Sequence, residues 1–190
     1  GGRVTLAPHL PAAWDSLVVR RLPVGQGRYT VRLMRSDTTF EALVARTTPG
    51  GVDSLVFAPA LPLGAVVRAI SADGRPVSCP SRATGADVHI DCRLALGARL
   101  ALLVRHTPGW EVLLPVADPA PGSRSSTLKL VSQRLAGDTL VLEVEGRAGW
   151  TYQLGVRTPT GRRDVTVQVP EGGTPVDEYR ATVVRVTAQP

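Results

Sequence analysis

Arg28-Tyr-Thr-Val-Arg-Leu-Met34 and Phe40-Glu-Ala-Leu-Val-Ala-Arg46 decide the fold. In each run apolar residues recur at every second position, the spacing that puts one face of a β-strand into a core and the other into water. The pattern spreads outward in both directions. Upstream lies Leu17-Val-Val-Arg20. Downstream lie Asp53-Ser-Leu-Val-Phe57, Ala65-Val-Val-Arg-Ala-Ile70 and Arg99-Leu-Ala-Leu-Leu-Val-Arg105, then Thr127-Leu-Lys-Leu-Val131, Thr139-Leu-Val-Leu-Glu-Val-Glu145, Thr151-Tyr-Gln-Leu-Gly-Val-Arg157, Val165-Thr-Val-Gln-Val169 and Tyr179-Arg-Ala-Thr-Val-Val-Arg-Val186. Gly and Pro punctuate the gaps, at Pro49-Gly-Gly, Asp73-Gly, Pro108-Gly, Ala136-Gly-Asp and Glu171-Gly-Gly. Short strands at this spacing predict an all-β fold, an antiparallel β-sandwich.

One stretch lacks alternation. Residues 115–126, Pro115-Val-Ala-Asp-Pro-Ala-Pro-Gly-Ser-Arg-Ser-Ser126, are rich in Pro, Ser and Gly and read as a linker. The expected organisation is a larger β-sandwich unit over 1–114 and a smaller one over 127–190. A shift of 111 positions aligns the two sides: Leu17 with Leu128, Leu33 with Val144, Arg46-Thr47 with Arg157-Thr158, Asp53 with Asp164 and Pro59 with Pro170. Either the halves are duplicated or strand alternation alone produces the match.

The composition bounds the function. Hydrophobic residues make up 43% of the chain, enough for a packed core, and no apolar run approaches the roughly 20 residues of a membrane helix, so membrane insertion is not expected. The net charge of +6 invites a nucleic-acid reading. Against it, Lys129 is the only lysine, and the arginines are scattered among acids as a GC-rich coding sequence would leave them. The densest pairs, Arg20-Arg21 and Arg162-Arg163, are not interleaved with aromatics as in single-strand binders. No nucleic-acid partner is expected.

Cys79 and Cys92 flank a hairpin signal. A turn centred between Gly85 and Ala86 sets 79 directly opposite 92. A non-hydrogen-bonded pair there has the close approach a disulfide needs. A disulfide implies a secreted or periplasmic location. A zinc site wants four ligands at tight spacing, and the one nearby imidazole, His89, is out of phase with Cys92.

The catalytic motifs are missing. His9, His89 and His106 belong to no zinc-protease helix and no nucleophile elbow, and Gly25-Gln-Gly27 lacks the Lys-Ser/Thr of a phosphate loop. Asp87 with Asp91, and Glu143 with Glu145, are same-face acid pairs that read as exposed strand residues. No catalytic residue, metal or cofactor is expected, and the chain reads as non-enzymatic.

The segment Pro8-His-Leu-Pro11-Ala-Ala-Trp14 resembles the turn that follows the (α/α)6 barrel in bacterial glycogen-debranching-like, amylo-α-1,6-glucosidase-like six-hairpin glycoside hydrolases. Leu140-Val-Leu-Glu-Val-Glu-Gly-Arg-Ala-Gly-Trp-Thr-Tyr152 through Pro159 is similar to the end of the same proteins. The resemblance implies a non-catalytic C-terminal accessory domain of a secreted carbohydrate-active enzyme. Its partner would be an upstream (α/α)6 catalytic domain of the same polypeptide. Leu6, Leu10 and Trp14 would face that barrel. A carbohydrate-binding module is the alternative, holding an oligo- or polysaccharide on aromatic side chains. Trp110, after Pro108-Gly109, is expected at an exposed loop edge. Trp150 and Tyr152, on one strand face, form either a platform or core anchors. A third reading is an immunoglobulin-like structural or protein-interaction sandwich. Its cysteines would then bridge two sheets, whereas here they sit on one hairpin.

Overall fold

In the computed structural model, which describes residues 2–115, 126–172 and 179–188, the Gly27–Arg35 strand buries Tyr29, Val31 and Leu33 and exposes Arg28, Arg32 and Met34. The fold is all-β, as the alternation predicts. The chain divides into two compact units, Gly1–Gly109 and Trp110–Pro190.

In the first unit, Gly27–Arg35 lies in a six-stranded sheet ordered Ser16–Val24, Gly27–Arg35, Thr39–Arg46, Arg99–His106, Val67–Ala72, Arg75–Pro76. Pro23, which cannot donate to a ladder, sits on the edge strand where this costs nothing. A bulge between Val19 and Leu22 puts Arg21 at a φ of 58°, a conformation that non-glycine residues adopt mainly where the chain must bend. Two three-stranded sheets complete the unit. In one, Ser54–Phe57 lies between Arg3–Leu6 and Cys92–Ala95; in the other, Val88–Ile90 lies between Ala60–Leu61 and Ser81–Ala83. Arg3–Leu6 runs parallel to Ser54–Phe57, and every other pairing among the described residues is antiparallel.

One core joins these sheets. Val31, Leu33, Val44, Leu102 and Val104 come from the six-stranded sheet, and Leu55, Phe57, Val88 and Ile90 from the smaller two. Phe40 and Phe57 meet across the layers with ring centroids 6.1 Å apart. Each such apolar side chain, taken from water, contributes roughly 1.5–3 kcal/mol. Tyr29 closes one end. Its hydroxyl accepts from Val52 N at 3.0 Å, which ties the Thr47–Val52 loop to the core. Gly51, at a φ of 124°, passes so close to the Tyr29 hydroxyl that any Cβ would collide with it.

The Cys79–Cys92 disulfide forms, with Cα atoms 4.9 Å apart. The hairpin register is the one the turn predicts: Val88 faces Ala83, His89 faces Arg82, and Ile90 faces Ser81. The ladder continues through Asp91 N donating to Pro80 O at 3.0 Å, so the cysteines fall at the next, non-hydrogen-bonded position. At Asp91 the chain changes sheets, and Cys92 pairs with Phe57. The disulfide therefore fastens the 81–90 hairpin to the neighbouring sheet.

The second unit has two three-stranded sheets. One is ordered Glu111–Leu113, Thr151–Thr158, Gly161–Gln168, the other Lys129–Ala136, Thr139–Arg147, Tyr179–Thr187. Leu140, Leu142, Val144, Leu154, Val156 and Val167 are buried in it. The division between units thus falls before Trp110, earlier than the expected end of the first unit at 114. The reason is pairing: Glu111 lies opposite Arg157, and the two are linked by an ion pair of 3.2 Å that is largely shielded from water. Of the expected linker over 115–126, residues 116–125 lie outside the described residues.

The 111-residue repeat extends to pairing in one hairpin only: Ser16–Val24 pairs with Gly27–Arg35 as Lys129–Ala136 pairs with Thr139–Arg147, and there the likeness stops. Gly27–Arg35 pairs with Thr39–Arg46, but their counterparts Thr139–Arg147 and Thr151–Thr158 lie in different sheets.

Candidate functional site

Three places concentrate polar or aromatic side chains. The first is the Thr84–Asp87 turn. Asp87, expected to be an exposed strand acid, is buried. Its carboxylate accepts from the Thr84 hydroxyl at 2.6 Å and lies 3.0 Å from His89 Nε2. Thr84 Oγ1 in turn accepts from Asp87 N at 3.1 Å. The hydroxyl points to the carboxylate and not to the imidazole, so His89 is not placed to draw its proton, as nucleophile activation would require. The group locks the hairpin turn.

The second place is the Pro11–Trp14 turn, closed by Trp14 N donating to Pro11 O at 2.9 Å. Arg35 reaches across from the six-stranded sheet and holds it. Its Nε donates to Trp14 O at 2.8 Å and its Nη2 to Ala12 O at 2.7 Å. The backbone is fixed, yet the Trp14 side chain is 50% exposed. The two leucines expected beside it belong instead to the core of the first unit: Leu10 is buried and Leu6 packs, partly buried, against the same cluster. Leu6 alternates inward on the Arg3–Leu6 strand. Of the three residues expected to face a barrel, only Trp14 projects. Val18 and Met34, outward-facing on adjacent strands of the six-stranded sheet, are also large apolar residues left exposed.

The third place is a corner of the second unit. Arg147-Ala148-Gly149-Trp150 forms a tight turn in which Trp150 N donates to Arg147 O at 3.1 Å. Gly149 takes the positive φ of 74° that such a turn requires of its third residue. The turn is pinned to the residue that follows the Gly161–Gln168 strand, with Val169 N donating to Trp150 O at 2.9 Å. Tyr152 is buried against Gly146, where a Cβ would come within 2.6 Å of the Tyr152 ring. Its hydroxyl accepts from Arg147 N at 2.9 Å. Trp150 remains 45% exposed, 6.2 Å from the Tyr152 ring and tilted 31° to it. The two do not make a flat pair: Tyr152 anchors the turn and Trp150 presents a surface. Trp110, expected at an exposed edge, is only 5% exposed. It immediately precedes the Glu111–Leu113 strand, whose pairing draws it inward.

Two further residues join this corner, beside the Arg147 side chain. The Arg147 guanidinium carbon lies 4.9 Å from the Trp150 ring centre. Tyr179 is directly opposite Arg147 across the strand pair, and the Lys129 ammonium lies 4.3 Å from the Tyr179 ring centre. Indole, guanidinium, phenol and ammonium thus follow one another. Sequence gives no view of this row, because Lys129, Arg147 and Tyr179 come from three strands, up to 50 positions apart, and only the register brings them together.

Among the described residues no group of three His, Cys, Asp or Glu side chains is placed to hold a metal ion. No protein-family model matches the chain, and neither a curated protein nor a solved structure is detectably similar to it.

Proposed function

We propose that this chain is a non-catalytic accessory module of an exported carbohydrate-active enzyme, and that the Pro11–Trp14 turn seats it against an (α/α)6 catalytic domain earlier in the same polypeptide. The observation that carries this reading is the contrast at Trp14. Two charge-assisted hydrogen bonds from Arg35 immobilise the turn backbone while half of the indole stays in water. A rigid backbone presenting a large aromatic is the form of an interface anchor. The turn is also the segment whose sequence resembles the barrel junction of six-hairpin glycoside hydrolases. Export is supported by the disulfide, which is compatible with an extracellular or periplasmic location.

The test is Trp14→Ala. In this chain alone the substitution removes a half-exposed side chain and shifts stability by less than about 0.5 kcal/mol. In the parent polypeptide it loosens the domain seat, read as limited proteolysis between the domains at least about tenfold faster than in the unsubstituted enzyme. A large loss of stability in the isolated chain, or an unchanged proteolysis rate in the parent, contradicts the assignment.

A sugar-binding role is favoured by a separate observation, the exposed Trp150 held on a pinned turn beside Arg147.

A further inference from the structure

We infer that the Tyr179–Thr187 strand is the docking edge for a second copy of this chain, whose own Tyr179–Thr187 strand adds to it antiparallel about a two-fold axis at Val183. The inference does not depend on the module or sugar-binding readings above.

Ladder geometry leaves one side of this strand open. Its nine residues pair with Thr139–Arg147 in unbroken register. Ala188 N donates to Asp138 O at 3.1 Å, one step beyond the Thr139–Thr187 pair, so the even-numbered residues hold the hydrogen bonds of that ladder. The odd-numbered residues Ala181, Val183 and Arg185 therefore turn their N–H and C=O groups to the far side. The strand is the last of its sheet, and among the described residues no strand pairs with that far side.

Such an edge is a template for another strand, and folded chains usually blunt it. The other long edges among the described residues are blunted. Ser16–Val24 carries Pro23 and a bulge, Lys129–Ala136 carries a bulge at Val131, and Gly161–Gln168 carries the charged run Arg162-Arg163-Asp164. The remaining edge strands have four residues or fewer. Tyr179–Thr187 has no Pro, no Gly and no bulge, and it leaves Val183 54% exposed.

A second copy fits because the strand complements itself. A two-fold axis perpendicular to the sheet sets odd residues opposite odd residues, so each open N–H meets an open C=O. With the axis at Val183 all nine residues pair, and an axis one residue to either side pairs fewer of them. Val183 then lies opposite Val183, which takes two exposed apolar side chains out of water. Arg185 lies opposite Ala181 and Arg180 opposite Val186, so no like charges meet. A single strand edge buries less than the roughly 1,200 Å² of a standard interface, so the expected dimer is weak and forms only at high concentration.

Sedimentation equilibrium of this chain at up to about 1 mM, where weak contacts are populated, tests the inference. The expected result is a mass that rises with concentration from one chain towards two. Val183→Lys sets two ammonium groups opposite each other and is expected to weaken association about fivefold or more. Val131→Lys, at a similarly exposed (51%) apolar residue on the opposite edge strand of the same sheet, is expected to leave it unchanged. Both side chains face water, so both variants keep the fold, and unchanged circular dichroism confirms it. In the associated form, hydrogen exchange slows at the amides of Ala181, Val183 and Arg185, whereas those of Thr182 and Val184, already in the ladder, are slow at every concentration. A chain that stays monomeric throughout overturns the inference and leaves the edge to a strand of another protein. Equal weakening by the two variants replaces strand pairing with contact between apolar faces. Association that leaves the three odd-numbered amides unprotected overturns the edge as its site.

Discussion

Replacing Cys79 and Cys92 together by alanine is expected to destabilise the first unit by about 3 kcal/mol in denaturant unfolding, the value for closing a loop of roughly 15 residues. The cysteines are 13 positions apart. The bond restricts the unfolded chain over that loop. In the folded unit it also ties the 81–90 hairpin, a short pair of three-residue strands, to the sheet that carries Phe57. The inner strand is also held by its pairing with Ala60–Leu61 and by the burial of Val88 and Ile90, whereas the outer Ser81–Ala83 strand is exposed along its length and gains most from the bond. Cys92 is itself 1% exposed within the core, so alanine there removes packing as well as the crosslink. Reduction of the unsubstituted chain separates the two effects: it should reproduce most of the loss without emptying the core position. A double variant as stable as the oxidised chain would show that the hairpin is held by its own hydrogen bonds.

Phe57→Ala is expected to cost 3–5 kcal/mol, about the range for emptying a fully buried aromatic position. Phe57 has 0% exposure and stands where three elements meet. It pairs with Leu6 of the parallel strand on one side and with Cys92 on the other, and its ring packs on Phe40 of the facing sheet. The site is walled by β-strands, which cannot collapse inward without breaking ladders, so the cavity should persist. Phe57→Leu keeps most of the volume and is expected to cost less than half as much in the same denaturant titration. Similar losses for the two variants would place the energy in the aromatic contact with Phe40 rather than in the filled volume.

Local order was legible in the sequence and long-range choice was not. The alternation in Arg28–Met34 and Phe40–Arg46 sets which face of each strand is buried, and Tyr29, Val31, Leu33, Phe40, Ala42 and Val44 are all in the core. The Gly85-Ala86 turn sets the hairpin register because only a few residues intervene between partners, and the disulfide follows from that register. By contrast, Glu111 finds Arg157 across 46 positions, a pairing that no local pattern encodes, and this misplaced the unit boundary and left Trp110 expected in solvent. Leu6 and Leu10 read as facing a missing partner because the unit's smaller sheets, built from strands of two to four residues, give too little periodicity to reveal that both side chains belong to its core. At the corner of the second unit, Trp150 was legible as an aromatic of interest. Arg147 meets the Trp150 ring across their shared turn, but the placing of Lys129 over Tyr179 was not legible, since it depends on the register of three strands.

The central claim is that this chain is an accessory module seated through Trp14, and hydroxyl-radical labelling read by mass spectrometry tests it most directly. Trp14 and Trp150 are exposed to similar degrees in this chain, 50% and 45%, so they should label at comparable rates when it is free. In the polypeptide that carries the catalytic domain, the account predicts that labelling of Trp14 falls several-fold while Trp150, on the other unit, keeps its rate. Equal labelling of Trp14 in both forms, or a parent polypeptide without a helical catalytic domain, would contradict the account.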